Sequence, residues 1–259
     1  TSAGSEDIFV AKLNAAGSNL WSRRFGDTSL DSGVGIATDG QGSVIVTGSF
    51  AGTVNFGGSA LTSAGGIDIY VAKLNAAGVH VWSKRFGDAQ EQAGFGVATD
   101  AGNNVLAIGR LRGSADFGGG ALSSASDLDA FVARFDGLGN HSWSKRFGGV
   151  GDDWGHGLVV DAAGHVSISG YFANTIDFGG GPLTSAGNHD IYVAKLDSLG
   201  SQIWSKRFGD PTFQYSYSLA TDAADNLFMT GQFAGTVDFG GGPLSSSGAS
   251  DAMVLKLGP

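Results

Sequence analysis

The residues best suited to binding a ligand lie in four variable loops, each at the same place in a 61-residue repeat: residues 28–32, 89–93, 150–154 and 211–215. The first large residue after each loop also varies, as Val34, Phe95, His156 and Tyr217. Aromatic rings beside carboxylates and amides suit stacking and hydrogen bonding to a sugar or peptide. We therefore predict a ligand-binding face that includes Asp31, Glu91, Phe95, Asp152, Asp153, Trp154, His156, Phe213, Tyr215 and Tyr217. The alternative is relaxed selection on loops that only need to be soluble.

Catalytic motifs are absent from the sequence: it contains no H-E-x-x-H, G-x-S-x-G, Walker or G-x-G-x-x-G pattern. His80 and His141 share a repeat position, but the other histidines do not, so no ring of imidazole ligands forms. Asp152 and Asp153 are adjacent carboxylates in one loop only, whereas a glycosidase needs two carboxyls across a cleft. We predict no catalytic residues, with a glycan-active enzyme as a less favoured alternative.

Aspartates recur at the start of each D-x-x-V-A-K-L run and in one turn of each repeat, where they are Asp39, Asp100, Asp161 and Asp222. Calcium requires six or more converging oxygens, and no stretch has the spacing D-x-[DN]-x-[DN]-G. An aspartate in a turn more often accepts hydrogen bonds from its own backbone. We predict no metal and no cofactor, with calcium as the alternative.

The elements that must position these side chains are set by the repeat itself. The run DIYVAKLNAAGVHVWSKRFG begins at Asp68, and similar runs begin at Asp7, Asp129 and Asp190, with a shortened copy at Asp251. Each repeat reads as four strands, GVGIATD, SVIVTGSF, DIYVAKL and HVWSKRF, joined by Gly or Asp-Gly turns and one longer arm. Four antiparallel strands per repeat, without helices, predict an all-β β-propeller with GVGIATD innermost; a linear array is the alternative.

Composition restricts the partners. The chain has 45 glycines, no cysteine and a net charge of −9, and thirteen of its fifteen basic residues fall at repeated positions. Acidic charge and scaffold-like basic residues argue against nucleic acid. No apolar run approaches the roughly 18 residues of a membrane helix, so membrane insertion is not expected. Thr1 is not an initiator Met, which suggests a leader that was removed or never included.

The recurring D-x-F-V-A-K-L strand, Gly-ending turn, W-S strand, G-x-G-I-A-T-D strand and V-x-V-T-G strand resemble the bacterial SBBP-type β-propeller repeats over essentially the whole chain. The resemblance implies a propeller in a secreted or cell-surface protein and brings no catalytic motif with it. We therefore expect a non-enzymatic extracellular binding or scaffold module, lectin-like or adhesin-like, with a glycan or peptide as partner. A purely structural or assembly-forming repeat domain is the alternative.

The ends of the chain decide how the ring closes. We predict one domain over residues 1–259, with blades near 33–87, 94–148 and 155–209 and a closing blade of 216–257 completed by 20–25. Residues 7–13 are then a surplus strand, which favours a strand-exchanged homo-oligomer. A five-bladed ring or open array is the alternative. We also predict that Trp21, Trp82, Trp143 and Trp204 are largely buried between blades and that Trp154 is exposed.

Overall fold

A computed structural model describes residues 2–258, which form strands and turns and no helix. The strands build a four-bladed β-propeller preceded by an N-terminal hairpin. The hairpin consists of β1 (Ile8–Leu13) and β2 (Asn19–Phe25). The first blade region contains β3 (Asp31–Thr38), β4 (Val44–Phe50), β5 (Thr53–Val54), β6 (Leu61–Thr62), β7 (Asp68–Leu74) and β8 (His80–Phe86).

The later blades repeat this order. The second contains β9 (Gln92–Thr99), β10 (Val105–Leu111), β11 (Ser114–Asp116), β12 (Ala121–Ser123), β13 (Asp129–Phe135) and β14 (His141–Phe147). The third contains β15 (Asp153–Val160), β16 (Val166–Asp177), β17 (Pro182–Leu196) and β18 (Gln202–Phe208). The fourth contains β19 (Gln214–Thr221), β20 (Leu227–Phe233), β21 (Thr236–Asp238), β22 (Pro243–Ser245) and β23 (Asp251–Leu257).

The predicted strand order within a blade is confirmed. The first sheet is ordered β3-β4-β7-β8, the second β9-β10-β13-β14 and the third β15-β16-β17-β18, all antiparallel. The short strands form separate hairpins in the arms of three blades, and in the third blade the arm continues β16 and β17. The inner strands pack in succession, β3 on β9, β9 on β15 and β15 on β19.

Glycine on the inner strands permits this close approach. A Cβ added to Gly35 would lie 3.0 Å from the carbonyl oxygen of Phe95, and one added to Gly96 would lie 2.8 Å from the carbonyl oxygen of His156. The same holds at Gly157, where the added atom would be 2.9 Å from the backbone nitrogen of Leu219. The small face predicted for these strands thus lies against the backbone of the next inner strand.

The core fills the spaces between successive sheets. Each core cluster joins Ile and Val of one repeat to an aromatic, Ala or Leu of the next, as where Val71 packs in the cluster of Phe131 and Phe135. The outer-strand tryptophans, Trp21, Trp82, Trp143 and Trp204, are mostly buried, and each packs against one of the core clusters, as predicted. The indole N–H of Trp143 donates to the carbonyl oxygen of Ser198 in the next repeat at 3.0 Å, and Trp82 and Trp21 make the same bond one and two repeats earlier.

The prediction that residues 20–25 complete the last sheet is wrong. Within residues 2–258, β2 pairs only with β1, and the last sheet has three strands in the order β19-β20-β23. Residues 8–13 and 252–257 therefore do not compete for one position. Pairing β1 with β2 closes only the tight turn after Leu13, whereas pairing β2 with β23 would close a loop of most of the chain, and loop-closure entropy favours the shorter loop.

Candidate functional site

The variable loops and the arms begin at the same end of the propeller. Backbone bridges join residues that precede the third strand to residues that precede the next inner strand, as between Ile67 and Glu91 and between His189 and Phe213. The arms then fold back along the sheets: Phe117 packs on Phe86 with ring centroids 4.8 Å apart. This leaves the end of the inner strands for the variable side chains.

A β-bulge in each inner strand directs the most variable residue. In the third blade, Gly155 pairs with Gly170 and Gly157 with Ser169, so His156 is an extra residue without a cross-strand partner. Equivalent shifts isolate Val34, Phe95 and Tyr217 in the other inner strands. A bulge re-aims a side chain and increases local twist. The bulge residues of the second, third and fourth blades are all aromatic, and they meet near the centre.

These rings form one continuous stack across three blades. The ring of Phe95 lies parallel to the indole of Trp154, with an interplanar angle of 5° and centroids 5.5 Å apart, and its centroid is 4.7 Å from that of His156. Tyr171 extends the stack at 5.4 Å from Trp154 and meets Tyr215 edge-on at 4.6 Å. The remaining members are His189, Phe213 and Tyr217.

A cation covers one end of the stack. The guanidinium of Arg110 lies 3.7 Å from the centroid of the Trp154 ring and 5.8 Å from that of Phe95. Arginine over a tryptophan face is a favourable cation–π pair. Burial lowers the pKa of Arg110, and the nearby carboxylates of Glu91 and Asp152 oppose that shift. The stack is therefore a cluster with an electropositive end next to two acidic side chains.

A small pocket of about 160 Å³ opens beside the stack. Its lining comes from the third and fourth blades: Asp152, Trp154, Tyr171, His189, Tyr215 and Tyr217. Drug-sized ligands occupy pockets of about 300–1,000 Å³, so this volume suits one ring of a larger ligand. Five aromatic or imidazole side chains, one carboxylate and several hydroxyl or ring N–H groups make it an amphipathic recess.

Several nitrogen atoms of the stack are buried without a hydrogen-bond partner. Trp154 Nε1, Arg110 Nε, His156 Nε2 and His189 Nδ1 have no hydrogen-bond partner among residues 2–258. Burial lowers the pKa of His156 to about 4, with a further contribution from the Arg110 charge, so the imidazole is neutral at pH 7. Burial also raises the pKa of Tyr171, which keeps its hydroxyl protonated. Buried polar groups are normally paired, so these nitrogen atoms are exceptions within the fold.

Two residues predicted for the binding face are structural instead. Asp31 and Asp153 are the fully buried first residues of their inner strands. Their carboxylates accept hydrogen bonds from the backbone N–H groups of Asp27 and Gly149, each at 2.9 Å. Gln92 and Gln214 take the same role in the other two blades. Burial raises the pKa of Asp153 to about 8, and the neighbouring charge of Asp129 adds to the shift.

The structure places the other predicted residues at the expected end of the propeller. Phe95, Trp154, His156, Tyr215 and Tyr217 belong to the stack, and Asp152 lines its pocket. Phe213 and Tyr217 are about half exposed, and Glu91 is exposed. Trp154 is mostly buried, contrary to the prediction, because Tyr171 and Arg110 cover its faces.

Arg110, Tyr171 and His189 were missed by sequence reasoning, although the sequence carries a signal for two of them. Arg110 is one of two basic residues outside the repeated positions, and its equivalents are Ser49, Tyr171 and Gln232. The variation at this position adjoins the site because Trp154 and Tyr171 are cross-strand partners, as are Ala93 and Arg110. His189 ends an arm and reaches the stack through its bridge to Phe213.

The turn aspartates bind their own backbone. Asp39 Oδ1 accepts hydrogen bonds from the N–H groups of Gln41 and Ser43 at 3.0 and 2.8 Å, and its other oxygen lies 2.9 Å from Lys73 Nζ. Asp100 and Asp161 make corresponding ion pairs with Arg134 and Lys195. Among the described residues, no group of three or more His, Cys, Asp or Glu side chains is arranged to hold a metal ion.

No helix long and apolar enough to cross a membrane occurs in residues 2–258.

Comparison with known proteins supports the repeat architecture. The chain is 24% identical over 335 aligned residues to an uncharacterized WD repeat-containing protein of Acanthamoeba polyphaga mimivirus, covering all of this chain and 24% of that protein. It is 30% identical over 174 residues to the regulatory protein FlaEY of Caulobacter vibrioides, covering 62% of this chain and 18% of that protein. The chain is a β-propeller repeat protein. It spans less than a quarter of the length of either relative.

Among solved structures, a protein of unknown function from Bacteroides caccae is similar at a TM-score of 0.48 and 8% sequence identity. The alignment covers 98% of this chain and 73% of the Bacteroides caccae chain. No family model matches the chain.

Proposed function

We propose that this chain is a non-enzymatic carbohydrate-binding module of an extracellular bacterial protein, and that the pocket beside the aromatic stack holds one sugar ring. The observation that carries the proposal is the convergence of two blades on one recess with aromatic walls, one carboxylate and residues that carry unpartnered nitrogen atoms. The SBBP-type resemblance supplies the extracellular setting, which fractionation of the native organism with an antibody would test.

The chemistry of the recess matches a neutral sugar. A pyranose ring presents C–H groups on its faces, which pack on aromatic rings, and hydroxyls at its edge, which both donate and accept hydrogen bonds. The rings of Tyr215 and Tyr217 supply the apolar surface. Asp152 can accept from two adjacent hydroxyls, and two other lining residues, Trp154 and His189, carry nitrogen atoms without a partner among residues 2–258.

Binding without catalysis is favoured by the carboxylates. A glycosidase needs two carboxyls about 5–10 Å apart across the scissile bond. Asp152 is the one carboxylate among the described residues that line the pocket, and Asp153, whose pKa is raised, is buried in the strand and bonded to Gly149. We therefore expect no turnover of any glycan that binds.

A glycan array followed by calorimetry tests the proposal. We expect binding of at least one glycan class, and a loss of at least tenfold in affinity for Tyr217→Ala, because the half-exposed ring lines the pocket and makes few contacts that the fold needs. Leu199→Ala is the matched control, since Leu199 is 72% exposed in a turn between outer strands. Absence of binding to every glycan would contradict the proposal and favour a purely structural repeat domain.

A further inference from the structure

The two ends of the blade array expose positions that are buried everywhere else in the molecule. The third strand of each repeat, the D-x-x-V-A-K-L strand, has two faces. Its Val packs with the next repeat and its aromatic residue packs with the preceding one: Val132 clusters with Tyr192, and Val193 clusters with Met253. The same relation holds where Val10 clusters with Tyr70. Four consecutive interfaces therefore use one pairing rule.

The equivalent residues lack this packing only at the two ends of the blade array. Val254 is 78% exposed, whereas its equivalents Val10, Val71, Val132 and Val193 are at most 3% exposed. At the other end, Phe9 is 80% exposed, whereas Tyr70, Phe131 and Tyr192 in the same repeat position are fully buried. Leu13 is 56% exposed where Leu74, Phe135 and Leu196 are fully buried. The C-terminal face therefore exposes the surface that packs on the following repeat elsewhere in the molecule. The N-terminal face exposes the surface that packs on the preceding repeat.

A hydrogen bond between repeats predicts the register of the missing contact. Lys12 Nζ donates to the carbonyl oxygen of Ala76 at 3.3 Å, and Lys73 Nζ donates to that of Gly137 at 3.1 Å. Arg134 donates to Ser198 in the same way. Lys256 holds the same repeat position as these donors. The equivalent acceptor for Lys256 is a carbonyl oxygen at the repeat position that Ala15 occupies in the N-terminal hairpin. The two end faces thus match in apolar shape and in one directional hydrogen bond.

We propose that the C-terminal face of one molecule packs on the N-terminal hairpin of a second copy, with Val254 against Phe9 and Leu13 and with Lys256 donating to the carbonyl oxygen of Ala15. The contact continues the interface between repeats and leaves every strand in its own sheet, so it requires no strand exchange. It joins two different surfaces, and a heterologous contact of this kind produces rings or filaments rather than only dimers. This inference is independent of sugar binding.

Site-specific cross-linking tests the contact, because the chain contains no cysteine. Phe9→Cys and Val254→Cys are prepared as separate variants, mixed, and treated with a short bis-maleimide. We expect a covalent dimer that contains one molecule of each. A mixture of Leu138→Cys and Leu199→Cys is the control, since both residues are more than 70% exposed in turns. Light scattering over a concentration series should show growth beyond the monomer.

The exposed positions also permit a disruption test that does not threaten folding. Val254→Asp should weaken self-association at least about tenfold, and Leu199→Asp should leave it unchanged. A Phe9→Cys, Val254→Cys double variant that cross-links only within one molecule would show that the chain closes on itself and would overturn the proposal. A protein that stays monomeric at every concentration, or association that Val254→Asp does not affect, would overturn it as well.

Discussion

Replacing the buried acid at the start of the third inner strand should change how stability depends on pH. Burial and the charge of Asp129 raise the pKa of Asp153 to about 8 in the fold, against about 3.9 in an unfolded chain. Between these values the folded state holds a proton that the unfolded state has lost, so the free energy of unfolding falls as pH rises from about 4 to 8. Each pH unit costs at most about 1.4 kcal/mol.

The free energy of unfolding lost between pH 4 and pH 8 would be at most about 5.6 kcal/mol. Relaxation around the carboxylate reduces this loss, so we expect at least about 2 kcal/mol. Asp153→Gln removes the titrating group and copies Gln92 and Gln214, which already accept the equivalent backbone N–H bonds. The stability advantage of the variant over the wild type should therefore be small near pH 4 and largest at pH 8. Chemical denaturation at pH 4.5, 6 and 8 measures it.

Gln92→Glu provides the reverse test, because it introduces an acid at the same position of the second blade, where the wild type has none. We expect the stability of this variant to decline more steeply with pH than that of the wild type. The reasoning is refuted if the difference between Asp153→Gln and the wild type is the same at all three pH values.

Three further predictions concern the scaffold and the site. Gly96→Ala should lower the free energy of unfolding by roughly 1–3 kcal/mol, because its Cβ would meet the carbonyl of His156 at 2.8 Å; Gly241→Ala, which has open space around it, is the control in the same denaturation assay. Trp143→Phe should cost about 1 kcal/mol or more, because the bond to Ser198 is lost, and an unchanged denaturation midpoint would argue against the inter-repeat role of the indole. Arg110→Met should shorten the retention of bound glycan in a dissociation experiment, because the cation no longer covers the Trp154 face.

The repeat made most of the fold predictable. Strand order within a blade follows from alternation and Gly-ending turns, and the small face of G-x-G strands follows from the need for close approach. Ring closure was not predictable in this way, because residues 8–13 and 252–257 carry the same pattern and only the energetics of pairing separates them.

The site was predictable in part. Repeat comparison found Phe95, Trp154, His156 and Tyr217, since the bulge places the variable residue of each inner strand at the centre. Asp153 was assigned to the binding face because it adjoins a variable loop, yet its repeat position holds only Asp or Gln, which is the mark of a conserved structural acceptor within the chain. The contribution of side chains from the second strand of each blade could not be predicted, because it depends on which residues are cross-strand partners.

The most direct test of sugar binding is to follow the indole N–H signals of the five tryptophans by nuclear magnetic resonance during a glycan titration. Trp154 lies at the pocket with its N–H unpartnered among residues 2–258, whereas Trp21, Trp82 and Trp143 donate to backbone carbonyls far from it. Trp154→Phe identifies its signal. We expect a bound glycan to shift the Trp154 signal and to leave those of Trp21, Trp82 and Trp143 in place. A bound glycan that moves the outer-strand signals, and not that of Trp154, would contradict it.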